Sequence, residues 1–149
     1  MTPNQKPSEA LAVLATCDAA SVGAGTVTSG WVSASTCAAF LVLLATGVLG
    51  AGATVDAKLQ QAQDSSGTGA KDISGKAIAQ IVKASGDNKQ ALINLRAEEL
   101  DVNNGYAYFR LSITVGTAAS IVGAAILGVF PDYAPASAFN QAAVAQIVA

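Results

Sequence analysis

YAYFRLSITV, residues Tyr106 to Val115, is the stretch that decides the fold. Ala107, Phe109, Leu111, Ile113 and Val115 fall on one face of an extended chain, and Tyr106, Tyr108, Arg110, Ser112 and Thr114 fall on the other. Period-two alternation rich in aromatic and β-branched residues is the signature of a strand with one buried and one wet face. Asn104-Gly105 marks a turn just before it. Upstream, Gln90 to Arg96 repeats the pattern, with Ala91, Ile93 and Leu95 on one side. Downstream, Ser120 to Leu127 reads as a further strand, with Gly123 as a weak point or bulge. Gly116-Thr117-Ala118-Ala119 between the last two strands predicts a hairpin.

Further out, Thr54 to Gln61 alternates Val55, Ala57 and Leu59 with Asp56, Lys58 and Gln60. Asp64 to Asp72 reads as a long hairpin connection to a short return segment at Ile73. Lys76 to Lys83 fits either a helix or a strand. Phe40 to Val48, FLVLLATGV, is an almost continuous apolar run. It suits a strand buried on both faces, or one lying against a neighbouring subunit. Trp31 opens a strand with Val32 and Ser33 and is expected to anchor the core. Residues 9–20 are open between helix and strand. Leu100-Asp101 to Gly105-Tyr106 is similar to the loop-to-strand corner of immunoglobulin-like sandwiches, where a tyrosine bonds back to the preceding loop. The reading is all-β: a small antiparallel β-sandwich of about 7–8 strands, residues 21–129, with an N-terminal arm over 1–20 and a C-terminal arm over 130–149.

Composition narrows the function. Of 149 residues, 52% are hydrophobic and 12% charged. That is about half the usual charged share. The apolar content is small-residue content, since roughly a fifth of the chain is alanine. A free monomer handles so charge-poor a surface badly, so an assembled protein is the natural reading. No charge lies between Asp18 and Asp56, and beyond Arg110 only Asp132 is charged. A net charge of -2 gives no steering toward nucleic acid or anionic lipid. The absence of histidine excludes Ser-His-Asp and Cys-His catalysis and removes the commonest zinc ligand. Residues 38–55 and 111–130 are uncharged and long enough to be mistaken for membrane spans. Their glycines and hydroxyl residues, and the lack of flanking belts, argue against spanning. The polar N-terminus shows no signal peptide. Cys17 and Cys37 follow no metal-ligand spacing and are expected as buried free thiols.

Several groups are candidates for chemistry. Glu98, Glu99 and Asp101 read as solvated loop charges rather than a glycosidase pair. Asp64, Ser66, Thr68 and Asp72 are a loose echo of a calcium loop without the terminal Glu. Tyr106, Tyr108 and Arg110 line one strand face. That face suits a sheet or subunit contact, with Arg110 pairing Glu98, Glu99 or Asp101, better than a base-stacking platform. The tail carries the stronger signal. Phe130, Tyr133, Phe139, Val144, Ile147 and Val148 make it apolar with one charge. Such a tail is an aggregation liability unless it packs on its own domain or a neighbouring subunit. No catalytic residue, metal or cofactor is expected.

Residues 47–135 resemble a group of small proteins encoded among the head genes of tailed bacteriophages and prophages. The resemblance rests on LQQAQDSSGTGAKDI (59–73), INLRAEELD (93–101), GYAYFRLSITV (105–115) and Leu127-Gly through Tyr133-Ala-Pro135, with Trp31-Val32-Ser33 earlier. It implies a non-enzymatic virion structural protein beside the major capsid protein. The role it implies is capsid decoration or cementing in many copies on a lattice or as a homo-oligomer. A head–tail connector, neck or minor capsid role touching portal or connector proteins is the runner-up, and a two-span lysis pore ranks lower. The implied location is the capsid surface or head–tail junction, with no specific nucleic acid and no membrane.

Overall fold

A computed structural model of the chain describes residues 4–133 and 135–148. A single helical turn, α1 (Pro7–Ala10), leads into β1 (Leu11–Val22), β2 (Gly25–Thr28), β3 (Val32–Ser33), β4 (Cys37–Thr46) and β5 (Thr54–Ala62). Then come β6 (Lys71–Ala77), β7 (Ile81–Val82), α2 (Lys83–Gly86), β8 (Gln90–Arg96), β9 (Tyr108–Gly116) and β10 (Ser120–Pro131). The first sheet has the order β1-β10-β4-β8, the second β2-β9-β5-β6. β3 adds to β9 and β7 to β5. With the two-residue β3 and β7 set aside, the eight long strands in chain order form sheets 1-8-3-6 and 2-7-4-5. That is the double Greek key of a jelly roll, so the expected small antiparallel β-sandwich is the observed fold class.

The alternating strands pack as their patterns demand. Val55, Leu59, Phe109, Leu111 and Ile113 line the inner face of the second sheet, and Phe40, Val42, Leu44, Leu95 and Ile126 line that of the first. Phe40 and Phe109 meet edge to face across the sandwich, with ring centroids 4.7 Å apart. This geometry suits the aromatic quadrupole and locks the two layers together.

Several sequence expectations need correcting. The predicted hairpin between the strands around 106–115 and 120–127 does not form. β9 already has β2 and β5 on its two ladder edges, so β10 crosses to the other sheet and enters between β1 and β4. The crossing is tight: Thr117 takes φ 72°. A Cβ on Gly50 would lie 2.5 Å from the Ala119 carbonyl oxygen, so the two loops touch only because Gly50 has none. The irregularity expected at Gly123 lies in its partner. β1 slips register between Cys17 and Ala20, and Ala19 rides directly over Gly123. The strand expected from Tyr106 begins at Tyr108. The N-terminal arm is shorter than 1–20: it ends at Ala10, and residues 11–20 belong to an edge strand. The C-terminal arm begins after Pro131, which places Phe130 in β10. Residues 1–3, Ala134 and Ala149 of the two expected arms lie outside the described residues. The ambiguous segment 76–83 divides among the end of β6, β7 and the start of α2.

Candidate subunit-contact site

The outer faces of the two sheets differ in chemistry. On the second sheet, the outward residues Asp56, Lys58 and Gln60 of β5 each have a partner. Gln80 donates to Asp56 at 2.9 Å, Lys58 to Asp72 at 2.9 Å, and Gln60 both donates to Asp72 at 3.2 Å and accepts from Arg110 Nε at 3.0 Å. Thr26 and Thr114 share a hydrogen bond beside them. These exposed pairs contribute little stability each, but together they make a hydrated, self-satisfied surface.

Tyr106, Tyr108 and Arg110 belong to this wet side, and they are drawn into its own contacts. Tyr106 donates to the Gly69 carbonyl at 2.8 Å, not to the loop just before it as the immunoglobulin-like corner predicted. The ammonium of Lys71 lies 4.2 Å from the centre of the Tyr106 ring. Tyr108 starts β9 opposite Ser33 of β3. Arg110 stacks over Trp31 at 4.4 Å, and the other expected partners are taken: Lys71 pairs with Asp101, Lys76 with Glu99 and Arg96 with Glu98. Trp31 is therefore no core anchor. It is half-buried between Arg110 and the Gly67 turn, where a Cβ would come within 3.0 Å of its indole nitrogen.

The Asp64 loop is closed on itself. The Asp64 carboxylate accepts from the Thr68 hydroxyl at 2.6 Å and from the Ser66 and Thr68 amides. The Thr68 hydroxyl bond, followed by the amide bonds, holds its carboxyl below the usual range. Asp72 turns instead to Lys58 and Gln60, so the loose calcium pattern resolves into a capped turn and an ion pair. Among the described residues no group of three or more His, Cys, Asp or Glu is gathered as a metal site. Cys17 and Cys37 are free and buried, and burial pushes both thiols up.

The apolar tail residues are placed unevenly. Phe130 sits near the end of β10 at φ 55°, a left-handed conformation costly for a bulky side chain, and its ring is exposed. Tyr133 and Phe139 meet edge to face at 5.5 Å, with Phe139 closing the 3-10 turn Ala136–Phe139. That turn buries Ala136 against the body. Asn140 Oδ1 accepts from the Val13 amide at 2.7 Å, the Gln141 amide donates to the Val13 carbonyl at 2.8 Å, and the Gln141 side chain reaches Thr16. The tail thus runs along the free edge of β1 and blocks it, as edge strands require. Val144 is half-buried beyond this anchor, while Ile147 and Val148 are exposed. The six residues do not form one cluster: Tyr133 and Phe139 touch, and Phe130, Ile147 and Val148 stand open.

A surface that the site reading missed lies on the outer face of the first sheet. Leu43, Leu92 and Ile121 project there around Ala45, Gly123 and Ala125. The small residues leave a shallow depression of about 390 Å³, reaching to Thr16, Asp18 and Ala19 of β1. The signal was the apolar run 40–48, which has no polar alternation to wet its second face. The stretches 38–55 and 111–130 are largely strands of this sandwich, and no helix among the described residues is long and apolar enough to cross a membrane.

No family model and no curated protein sequence matches the chain. Solved structures do. A chain of the T13 IBDV viral particle (infectious bursal disease virus) aligns with TM-score 0.52 at 12% identity, covering 85% of this chain and 32% of that one. A chain of the naturally occurring empty particles of cowpea mosaic virus aligns with TM-score 0.44 at 10% identity, over 87% of this chain and 92% of that one. The chain spans about a third of the length of the IBDV protein, and what it shares with that particle protein is the fold of an eight-stranded jelly roll.

Proposed function

We propose that this chain is a non-enzymatic structural protein of a virus particle. Our reading is that it decorates or cements a bacteriophage head by binding the major capsid protein in many copies. The observation that carries the reading is the joining of a jelly-roll body to a tail with Asp132 as its one charged side chain, anchored at Asn140 and Gln141, whose Ile147 and Val148 stand exposed. Phe130, exposed and held in a left-handed conformation, adds a second apolar point at the end of β10. Strain kept at an exposed aromatic is a pointer to contact function. The likeness in fold to the IBDV particle protein supports the reading. The resemblance of residues 47–135 to head-module proteins is what directs the reading to a phage head. The body and two arms then divide the labour, with the sandwich as the rigid block and the C-terminal arm, from 132 on, as the clasp.

The mechanism is burial at subunit seams. A standard interface of about 1,600 Å² has a gross apolar driving force on the order of 20 kcal/mol, much of it offset by lost motion. Repetition over a lattice restores grip through avidity. The test is addition of purified full-length chain, or a chain ending at Asn140, to heads that lack it. The full chain is expected to co-sediment and raise the temperature at which heads release DNA, and the shortened chain to do neither. Equal occupancy by both would remove the clasp. An image of the particle with density in one ring at a single vertex, rather than over the shell, would replace decoration with the connector role.

A further inference from the structure

We infer that the open outer face of the first sheet is a self-association surface, covered by the same face of a second copy of this chain. Three observations select that occupant. The face is apolar where the other sheet is hydrated: Leu43, Leu92 and Ile121 are 37%, 60% and 46% exposed around the Gly123 depression. Among the described residues the chain's own tail does not fill it, since all the residues lining the depression come from β1, β4, β10 and the loop after β4.

The third observation is the placement of charge. Asp18 lies on β1 beside the Val122–Ala124 stretch of β10, level with the C-terminal end of β4. Arg96 lies on β8 opposite Ala39, near the N-terminal end of β4. The two opposite charges occupy diagonally opposed corners of one face. A twofold axis in the plane of that face, along the other diagonal, carries each corner onto its opposite. It sets Asp18 of each copy against Arg96 of the other and gathers Leu43 and Leu92 of both copies about the axis. An isologous contact demands this self-complementarity. Arg96 has only a loose 3.4 Å contact with exposed Glu98 to give up.

Area fixes the strength. The face is roughly 15 Å across four strands and 20 Å along them. Two copies bury roughly 600 Å² of such face, below the size of a standard specific interface. The dimer is therefore reversible, with a Kd of about micromolar or weaker. This association does not depend on the capsid reading.

Sedimentation equilibrium of the full chain, from micromolar to millimolar, tests it. The wild type is expected to show a monomer–dimer equilibrium. Leu92→Lys, at an exposed position that leaves the fold intact by circular dichroism, is expected to weaken it ~10-fold or more. Asp18→Arg and Arg96→Asp each weaken it several-fold, and the double swap restores it. A wild type monomeric throughout, a Leu92→Lys chain that dimerises as before, or a double swap no tighter than either single would overturn the proposal. A dimer that never joins a particle keeps this surface and removes the capsid function; a strict monomer that coats heads does the reverse.

Discussion

Replacement of Phe40 and Phe109 by leucine, singly and together, measures the closure of the sandwich. Phe40 belongs to β4 in the first sheet and Phe109 to β9 in the second, and their rings touch at 4.7 Å. Both are fully buried, at 2% and 0% exposure. Each Phe→Leu change removes part of a ring from a packed site and should cost about 1–2 kcal/mol, less than the 3–5 of truncation to alanine. For a domain of this length that corresponds to a fall in Tm of roughly 2–8 °C. The informative quantity is the double variant. An edge-to-face pair is worth about 0.5–1.5 kcal/mol beyond area burial, and either single change already removes it. The double variant should therefore lose less than the sum of the singles by that amount, read by urea titration at constant m. Distant sites add to within ~0.3–0.5 kcal/mol. Strict additivity would mean that the rings do not meet, and that the strands around 40 and 109 do not face each other across the sandwich as described.

Other substitutions probe single features. Thr46 is buried, its hydroxyl lies 2.6 Å from the Gly86 carbonyl, and it accepts from the Lys89 amide, so Thr46→Val should cost about 1–3 kcal/mol in a denaturant titration. Gly123→Val would place a Cβ 2.9 Å from Ala19 Cα, and overpacking there should cost about 1–3 kcal/mol, visible as a lower Tm. Acid should loosen the loops before the sheets. Lys83 and the Leu49 amide hold Asp87 below the usual carboxylate range, and the Lys58 and Gln60 side chains do the same for Asp72. Each depressed carboxyl contributes stability above its unfolded pKa of about 4, lost as pH falls through the lower folded value. Hydrogen exchange near pH 3 should rise first at the 47–53 and 64–72 loops; uniform exchange across the chain would refute the assignment.

How much of this was legible depends on what period-two patterning records. It records facing, so the inner residues of β5, β8 and β9 were readable position by position. It does not record which sheet a strand joins. Ser120 to Leu127 carries the same marks whether it pairs with β9 or crosses the sandwich, and only the occupied edges of β9 decide. The small residues of β1 hid its strand, because alanine pulls toward helix while Leu11, Val13 and Ala15 alternate. The tail was legible as apolar but not as anchored, since the Asn140 and Gln141 contacts with Val13 lie 127 residues apart in one case and depend on the folded edge. The outer face of the first sheet was half legible. The apolar run 40–48 implies a strand buried on both sides or resting on a neighbour, but nothing in the pattern marks Leu43 and Leu92 as the exposed members.

β10 is the last strand among the described residues and a central strand of its sheet, with β1 on one side and β4 on the other. During synthesis, therefore, the apolar ladder of Phe40 to Ala45 stays without one of its two partners until residues near 131 have cleared the ribosome. The sheet cannot be completed from the N-terminus onward; it must wait for its keystone. Contacts of such long sequence separation make folding slow. An unpaired, uncharged β4 is open to wrong partners in the meantime. A nascent chain stalled before Ser120 should bind chaperones far more than one released whole.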